Sequence, residues 1–386
     1  MQTRIYDRNK LKKVILIIIP CIAILLALTF CSQLAVPVAP YAQSKYINDI
    51  SFDLNTLRSK CPGNKMSAPG SDNWTITWAN DNHQYTSWGD GGGFGGDNET
   101  GRVSMGFARI EGNRTDYSGY NIWGGNNPES IQTTFPGKCY GILCAGGVLY
   151  AWRSYDNENG SICYMNQELY KSSDYGKHWC LLYGWYNSPG FFCPTFLQAG
   201  RDYGDSPDSY LYVYLPERTE TIDSPIDNLW NVQLPGRILL MRCHEDSLDS
   251  KSNWNYYAGR GKWSSDKTQH KAIFTDHKKG IMRTSVIYNT GLKRYILTTQ
   301  HISRFGNENG HIGIYESRYP WGPWRTVLLK NAWDTGIQVK DKKYKTVYWN
   351  FSPKWMSQDG KRFVMVYTGT GSDEWGTVEG TFVTAD

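Results

Sequence analysis

Between residues 74 and 368 the chain is a succession of short strand-like runs, each closed by a cluster of Gly, Asn, Asp, Pro or Ser. Segments 74–78, 84–88, 103–110, 148–153, 169–172, 210–214, 238–242, 284–288, 294–299, 311–316, 347–351 and 363–368 carry this pattern. Their β-branched and aromatic residues suit a pleated, half-buried surface. The separators make turns through left-handed backbone or through side-chain-to-backbone hydrogen bonds. Few stretches keep a helical period, so the chain is confined to an all-β class: sandwich, barrel or propeller. With 16 Trp and 27 Tyr, aromatic surface is plentiful while Leu-rich helical patterning is scarce.

Weak internal repetition selects among these three. Ser172-Ser173-Asp174-Tyr175-Gly176-Lys177-His178-Trp179 resembles the aspartate box of sialidase-type propellers, with His178 where Thr is usual. In such a turn the Asp accepts backbone hydrogen bonds and the Trp packs between strands. Ser357-Gln358-Asp359-Gly360-Lys361 is a shorter echo. The boxes mark blade turns and do no chemistry. Together with the strand pattern they predict a five-bladed β-propeller of four-stranded blades.

Before the strands lies a different kind of segment. Arg4, Arg8, Lys10, Lys12 and Lys13 precede an uncharged apolar run from Val14 to Phe30. This reads as one hydrophobic helix, either an uncleaved signal-anchor or a signal peptide, with the basic end inside and the body outside. The expected organisation is a tail and membrane segment over 1–43, a linker over 44–65 and the propeller over 66–386. The product is then anchored facing outward, or secreted or periplasmic if the segment is removed. Once the tail is set aside the body is nearly neutral, which excludes the basic field of a nucleic-acid binder. Beyond the segment 1–43 there are seven cysteines, and the close spacings Cys139/Cys144 and Cys180/Cys193 suit local disulfides. No Cys or His spacing suggests a metal site, and no cofactor is implied.

The richest chemistry lies in the stretch 70–96. It reads as a hairpin with one strand to Ala79, a turn at Asn80-Asp81-Asn82 and a strand back to Trp88. Asp72 then begins one strand and Asp90 ends its partner, so two carboxylates return to the same end. Glycoside hydrolysis needs such a pair: one protonates the leaving oxygen, and the other acts as base or nucleophile. The glycines after Asp90 would let the backbone approach a ligand and leave the carboxylate unshielded. Trp88, two residues from Asp90, and Trp74 are candidates for stacking on a sugar face. His301 is placed in a candidate ligand-facing loop.

A family resemblance adds to this reading. The run from Asp72 through Trp88-Gly89-Asp90-Gly91-Gly92-Gly93-Phe94-Gly95-Gly96, and then Gly101-Arg102-Val103-Ser104-Met105-Gly106-Phe107, resembles the "domain of unknown function 4185" family. Phe196-Leu197-Gln198-Ala199-Gly200-Arg201-Asp202-Tyr203, Trp321-Gly322-Pro323-Trp324 and Pro353-Lys354-Trp355-Met356 agree, and the likeness spans residues 65 to 384. That family is similar in fold to five-bladed propeller glycosidases, and some members are endo-D-arabinofuranosidases. The resemblance implies Asp72 and Asp90 as the catalytic pair. Asp208 and Glu316 match further acidic positions, with roles in tuning a neighbour or binding sugar hydroxyls. The implied partner is a polysaccharide cleaved at furanosidic linkages. The competing expectation is a lectin-like propeller at the cell surface that binds sugar without cutting it.

Overall fold

The computed structural model describes residues 38–126, 136–155, 166–186, 191–218, 234–302, 310–331, 335–337, 346–369 and 373–385. From Ala39 onward these form one compact all-β unit, in which helical geometry is confined to short 3-10 turns among the described residues. No helix among them is long and apolar enough to cross a membrane. The apolar run 14–30 lies outside the described residues, as does Cys163.

After β1 (Ile47–Arg58), the chain makes an antiparallel meander from β2 (Thr77–Trp78), β3 (Gln84–Gly89), β4 (Met105–Asn113) and β5 (Asp116–Trp123). A second meander follows from β6 (Lys138–Ala145), β7 (Val148–Tyr155), β8 (Asn166–Ser172) and β9 (Cys180–Trp185). The third contains β10 (Thr195–Gln198), β11 (Tyr210–Pro216), β12 (Gly236–His244), β13 (Asn255–Gly259) and β14 (Lys262–Ser264), with β15 (Phe274–Asp276) added beside β12. The fourth contains β16 (Gly280–Asn289), β17 (Arg294–Ile302), β18 (His311–Ser317) and β19 (Arg325–Asn331). A short parallel contact, Leu197 with Val286, joins β10 to β16 and merges these two meanders into one ten-stranded sheet. The last sheet contains β20 (Val347–Phe351), β21 (Arg362–Thr368) and β22 (Trp375–Thr384), with β1 on its edge. Repeated four-stranded meanders are the unit from which propellers are built.

The place of β1 corrects the expected linker. Ile47 pairs with Thr384 and Phe52 with Gly380, so most of the segment 44–65 is the outer strand of the final sheet. An edge strand offers one face to solvent, and here only Ile47 and Ile50 are fully buried along it, which makes it look like a polar linker. The expected disulfides are also absent. Cys139, Cys144, Cys180 and Cys193 are free thiols. Cys139 Sγ turns to the Gly141 carbonyl and Cys144 Sγ to Asp202 Oδ1, so the two point at different partners.

Both aspartate-box turns form. Asp174 Oδ1 accepts from the His178 backbone N–H and from Ser172 Oγ, while Trp179 packs 4.3 Å from the Phe107 ring of the neighbouring sheet. In the echo, Asp359 Oδ1 accepts from Ser357 Oγ and the Lys361 N–H. Between sheets the core is aromatic: the Trp74 ring lies 5.2 Å from Phe94 and 5.1 Å from Trp375, and the Trp152 ring lies 6.0 Å from Phe196. Such pairs contribute about 0.5–1.5 kcal/mol each beyond the area they bury.

Candidate active site

The hairpin forms as its sequence requires. Asn82 N–H donates to the Ala79 carbonyl at the turn, and Asp72 and Gly89 exchange both backbone hydrogen bonds, at 2.8 and 2.7 Å. Asp72 therefore faces the last residue of β3, and Asp90 follows directly. Asn73 and Asp90 both adopt left-handed backbone, with φ of 57° and 53°. Asn and Asp are the side chains other than Gly that most readily accept that conformation. The twist at each residue ends the regular ladder beside the carboxylates.

Gly89 makes the approach of the charged groups possible. A Cβ there would sit 2.7 Å from Asp72 Oδ1, 2.8 Å from Lys138 Cδ and 3.1 Å from Lys138 Nζ. Only a residue without a side chain lets the Asp72 carboxyl and the Lys138 ammonium share that space. Lys138 opens β6 and is largely buried; its Nζ lies 2.5 Å from Asp90 Oδ1 and donates to the Ser104 carbonyl at 3.1 Å. Arg102 approaches the same Asp90 oxygen at 3.5 Å from the solvent side.

The two carboxyl groups have different surroundings. Burial pushes Asp72 up to about 7; the charges of Asp373 and Asp90 add to this, while Lys138 and Arg283 oppose it. Asn73 Nδ2 donates to Asp72 Oδ1 at 2.8 Å, and Asn73 is held in turn by buried Arg283, whose Nε donates to Asn73 Oδ1 at 2.6 Å. Arg283 also donates to Gln300 Oε1 at 2.9 Å, so the group orienting Asp72 is itself fixed. Asp90, with its side chain 40% exposed, faces solvent between two cations. One carboxyl group is thus poised to hold a proton near neutrality, while the other is ion-paired with Lys138 and Arg102. Environments of this kind separate acid from base.

The other residues singled out in the sequence sit elsewhere. Trp74 and Trp88 are fully buried and their rings pack together at 5.8 Å, so neither has a face to offer a sugar. The glycines after Asp90 serve the same core. A Cβ on Gly93 or Gly106 would strike the Trp88 indole, and one on Gly91 would strike Gly70 and Ser71. They admit protein rather than ligand. His301 is buried between Asp276 Oδ2, 2.8 Å from Nδ1, and the Tyr315 hydroxyl, 2.9 Å from Nε2. It lies in β17 and not in a loop; the neighbouring segment 303–309 is outside the described residues.

Glu316 and Asp208 lie toward the other ends of the strands. Glu316 is in register with Ile296 and thereby with Ile287, four residues along β16 from Arg283. At a strand rise of ~3.3 Å per residue this is about 13 Å along the sheet. Asp208 precedes β11, whose far part pairs Tyr214 with Thr195; it caps the strand start and accepts from the Tyr212 hydroxyl at 2.7 Å.

Local sequence reasoning does not find Lys138, Arg283 and Asp373, because they come from three separate stretches of the chain away from the hairpin. Asp373 is tied to the hairpin through its carbonyl, which accepts from the Gly70 N–H at 2.6 Å. Nearby, Glu168 is caged by Arg153 at 2.8 Å and by the hydroxyls of Tyr155, Tyr170 and Tyr186. Its register with Arg153 and Cys139 puts it two strands out from the start of β6. Among the described residues no group of three or more His, Cys, Asp and Glu side chains could hold a metal ion.

No family model and no curated protein matches the chain. Solved structures do. A hydrolase candidate from Bacteroides ovatus is similar over 90% of this chain and 94% of its own, at 14% identity and a TM-score of 0.53, which shows a shared fold. A thermostable family-43 glycoside hydrolase matches over 83% of this chain and 92% of its own, at 14% identity and a TM-score of 0.47. An endo-arabinase from Bacteroides thetaiotaomicron matches over 82% and 94%, at 11% identity and a TM-score of 0.45. At 14% identity the likeness to the Bacteroides ovatus structure is one of fold alone.

Proposed function

We propose that the chain is a glycoside hydrolase acting on furanosidic linkages of a polysaccharide such as D-arabinan, with Asp72 as general acid and Asp90 as base or nucleophile. The observation that carries this reading is the pair itself: two carboxyl groups at one end of a hairpin, one raised to about 7 by burial and the other ion-paired with Lys138. In the proposed reaction, protonated Asp72 donates to the departing glycosidic oxygen as the C–O bond breaks. The Asp90 carboxylate then attacks the anomeric carbon, or removes a proton from the water that attacks it. Lys138 holds Asp90 in place. No cofactor takes part.

The same reading takes the ten-stranded sheet as two blades joined at their inner strands. This gives five blades in all, with β1 and β22 closing the last. The apolar run 14–30 then holds the body outside the membrane, where polysaccharide is encountered. The test is to incubate the protein with a panel of arabinans and other polysaccharides and to analyse the fragments released. Shortened furanoside chains support the reading. No product from any polysaccharide would leave the carboxylates as sugar-binding groups of a lectin-like protein, a reading that the two cations on Asp90 favour because they weaken it as a nucleophile.

A further inference from the structure

A charged cleft of the body has no part in the carboxylate site. It encloses 580 Å³ where the entering chain, near Lys45 and Tyr46, meets the ends of β17, β18 and β19. That volume falls within the ordinary range for small-ligand sites. The pairing of Glu316 with Ile296, and so with Ile287, places the cleft about 13 Å along the strands from the level of Arg283. It is a separate place on the molecule.

Its electrostatics are unbalanced. Among the described residues Glu316 is the one carboxylate in the lining, and it is already engaged: Oε2 lies 3.0 Å from Arg294 Nε, and Oε1 accepts from Ser44 Oγ at 2.8 Å. The Arg294 guanidinium also lies 4.0 Å from the centre of the Tyr46 ring, so this cation is matched on both sides. Lys45, Arg318 and Arg325 share the same lining and are exposed. Among the described residues, none of these three has a carboxylate within ion-pair distance. In a nearly neutral body, three uncompensated cations around one cavity form a local anion site.

Beside the cations stands an aromatic ladder. Tyr319, 53% exposed, is at the cleft mouth, and its ring is parallel to Trp321 within 5° at 5.5 Å. Trp321 stacks on Tyr257 in turn, at 6.0 Å and 19°. This backing fixes an exposed tyrosine face that would otherwise turn freely.

We infer that this cleft binds an acidic saccharide, with the carboxylate of a uronic-acid unit on Arg318 and Arg325 and a C–H face of the sugar against Tyr319. Arginine forks suit carboxylate geometry, and a pyranose ring offers the apolar face that a fixed aromatic ring accepts. A lipid headgroup would use the cations but leave the ladder without purpose. The inference does not depend on Asp72 or Asp90.

The experiment is calorimetric titration of the full-length chain with an oligogalacturonate. Arg318→Ala/Arg325→Ala should weaken binding about tenfold or more, the effect of losing a charge-assisted hydrogen bond. Tyr319→Ala should weaken it as well, and added salt should reduce it in the wild type more than in the double variant. Asp90→Asn should leave it unchanged, which separates this site from the carboxylate pair. Absence of saturable binding, or binding indifferent to these substitutions, would overturn the inference. So would capture of phosphatidylglycerol vesicles, abolished by the double variant, when the saccharide gives no heat.

Discussion

Lys138 Nζ lies 2.5 Å from Asp90 Oδ1, and the same ammonium offsets part of the rise that burial imposes on Asp72. One cation from the start of β6 therefore acts on both carboxyl groups of the β2–β3 hairpin, stabilising the anion it touches and limiting how tightly the other holds its proton. This coupling across two sheets is the feature from which the chemistry follows.

Replacing that cation should act on both groups. In Lys138→Met the proton on Asp72 should be held more tightly, so the alkaline limb of kcat/KM moves to higher pH. The maximum should fall about 10²-fold or more, because Asp90 loses the contact that holds it in place. A pH–rate profile of the variant checks this. An alkaline limb that stays in place or moves to lower pH would remove Lys138 from the account.

Asp72 also makes stability depend on pH. Its folded value of about 7 lies above the ordinary 3.8, so between these values the folded chain holds a proton that the unfolded chain has released. Its contribution is therefore complete below pH 3.8 and is lost as pH rises through about 7, amounting to at most ~4 kcal/mol. Asp72→Asn removes this dependence. Its Tm should gain on the wild type from pH 4 to about pH 7 and then level off, while hydrolysis is lost at every pH.

Gly89→Ala should harm activity more than stability. The added methyl group would displace Asp72 Oδ1 and Lys138, two side chains that can move aside, while the strand remains paired to β4. An ångström of misplacement at reacting groups costs about 10²-fold in rate. The expected result is that loss with a stability change of about 1–2 kcal/mol, read by denaturant unfolding and product formation.

Trp88→Ala should do the reverse of what a sugar platform would show. Fully buried against Trp74 and under Gly93 and Gly106, Trp88 should cost about 3–5 kcal/mol when truncated. Trp88→Phe keeps much of the packing, and KM should then be close to that of the wild type.

How far the structure was legible depended on the range of each interaction. The turn residues around Asn80-Asp81-Asn82 and the Asp174 and Asp359 boxes act within a few positions, so the hairpin and two strand connections could be read directly. The juxtaposition of Asp72 with Asp90 followed from the same local logic. Trp88 was misread because an aromatic residue beside a carboxylate looks alike whether it faces solvent or core; of the glycines that pack on it, Gly93 lies in the loop after β3 and Gly106 in β4. Lys138, Arg283 and Asp373 were not legible because only the closing of successive sheets brings them to Asp72. The β1 strand was hidden for the same reason, since its partner β22 is at the opposite end of the chain.

The most direct test of the account compares wild type with Asp90→Asn on the polysaccharide that the wild type cleaves, measuring released fragments and Tm together. The account predicts that the variant keeps the fold, with Tm within a few degrees, and releases no product above background. Unchanged turnover by Asp90→Asn would contradict it.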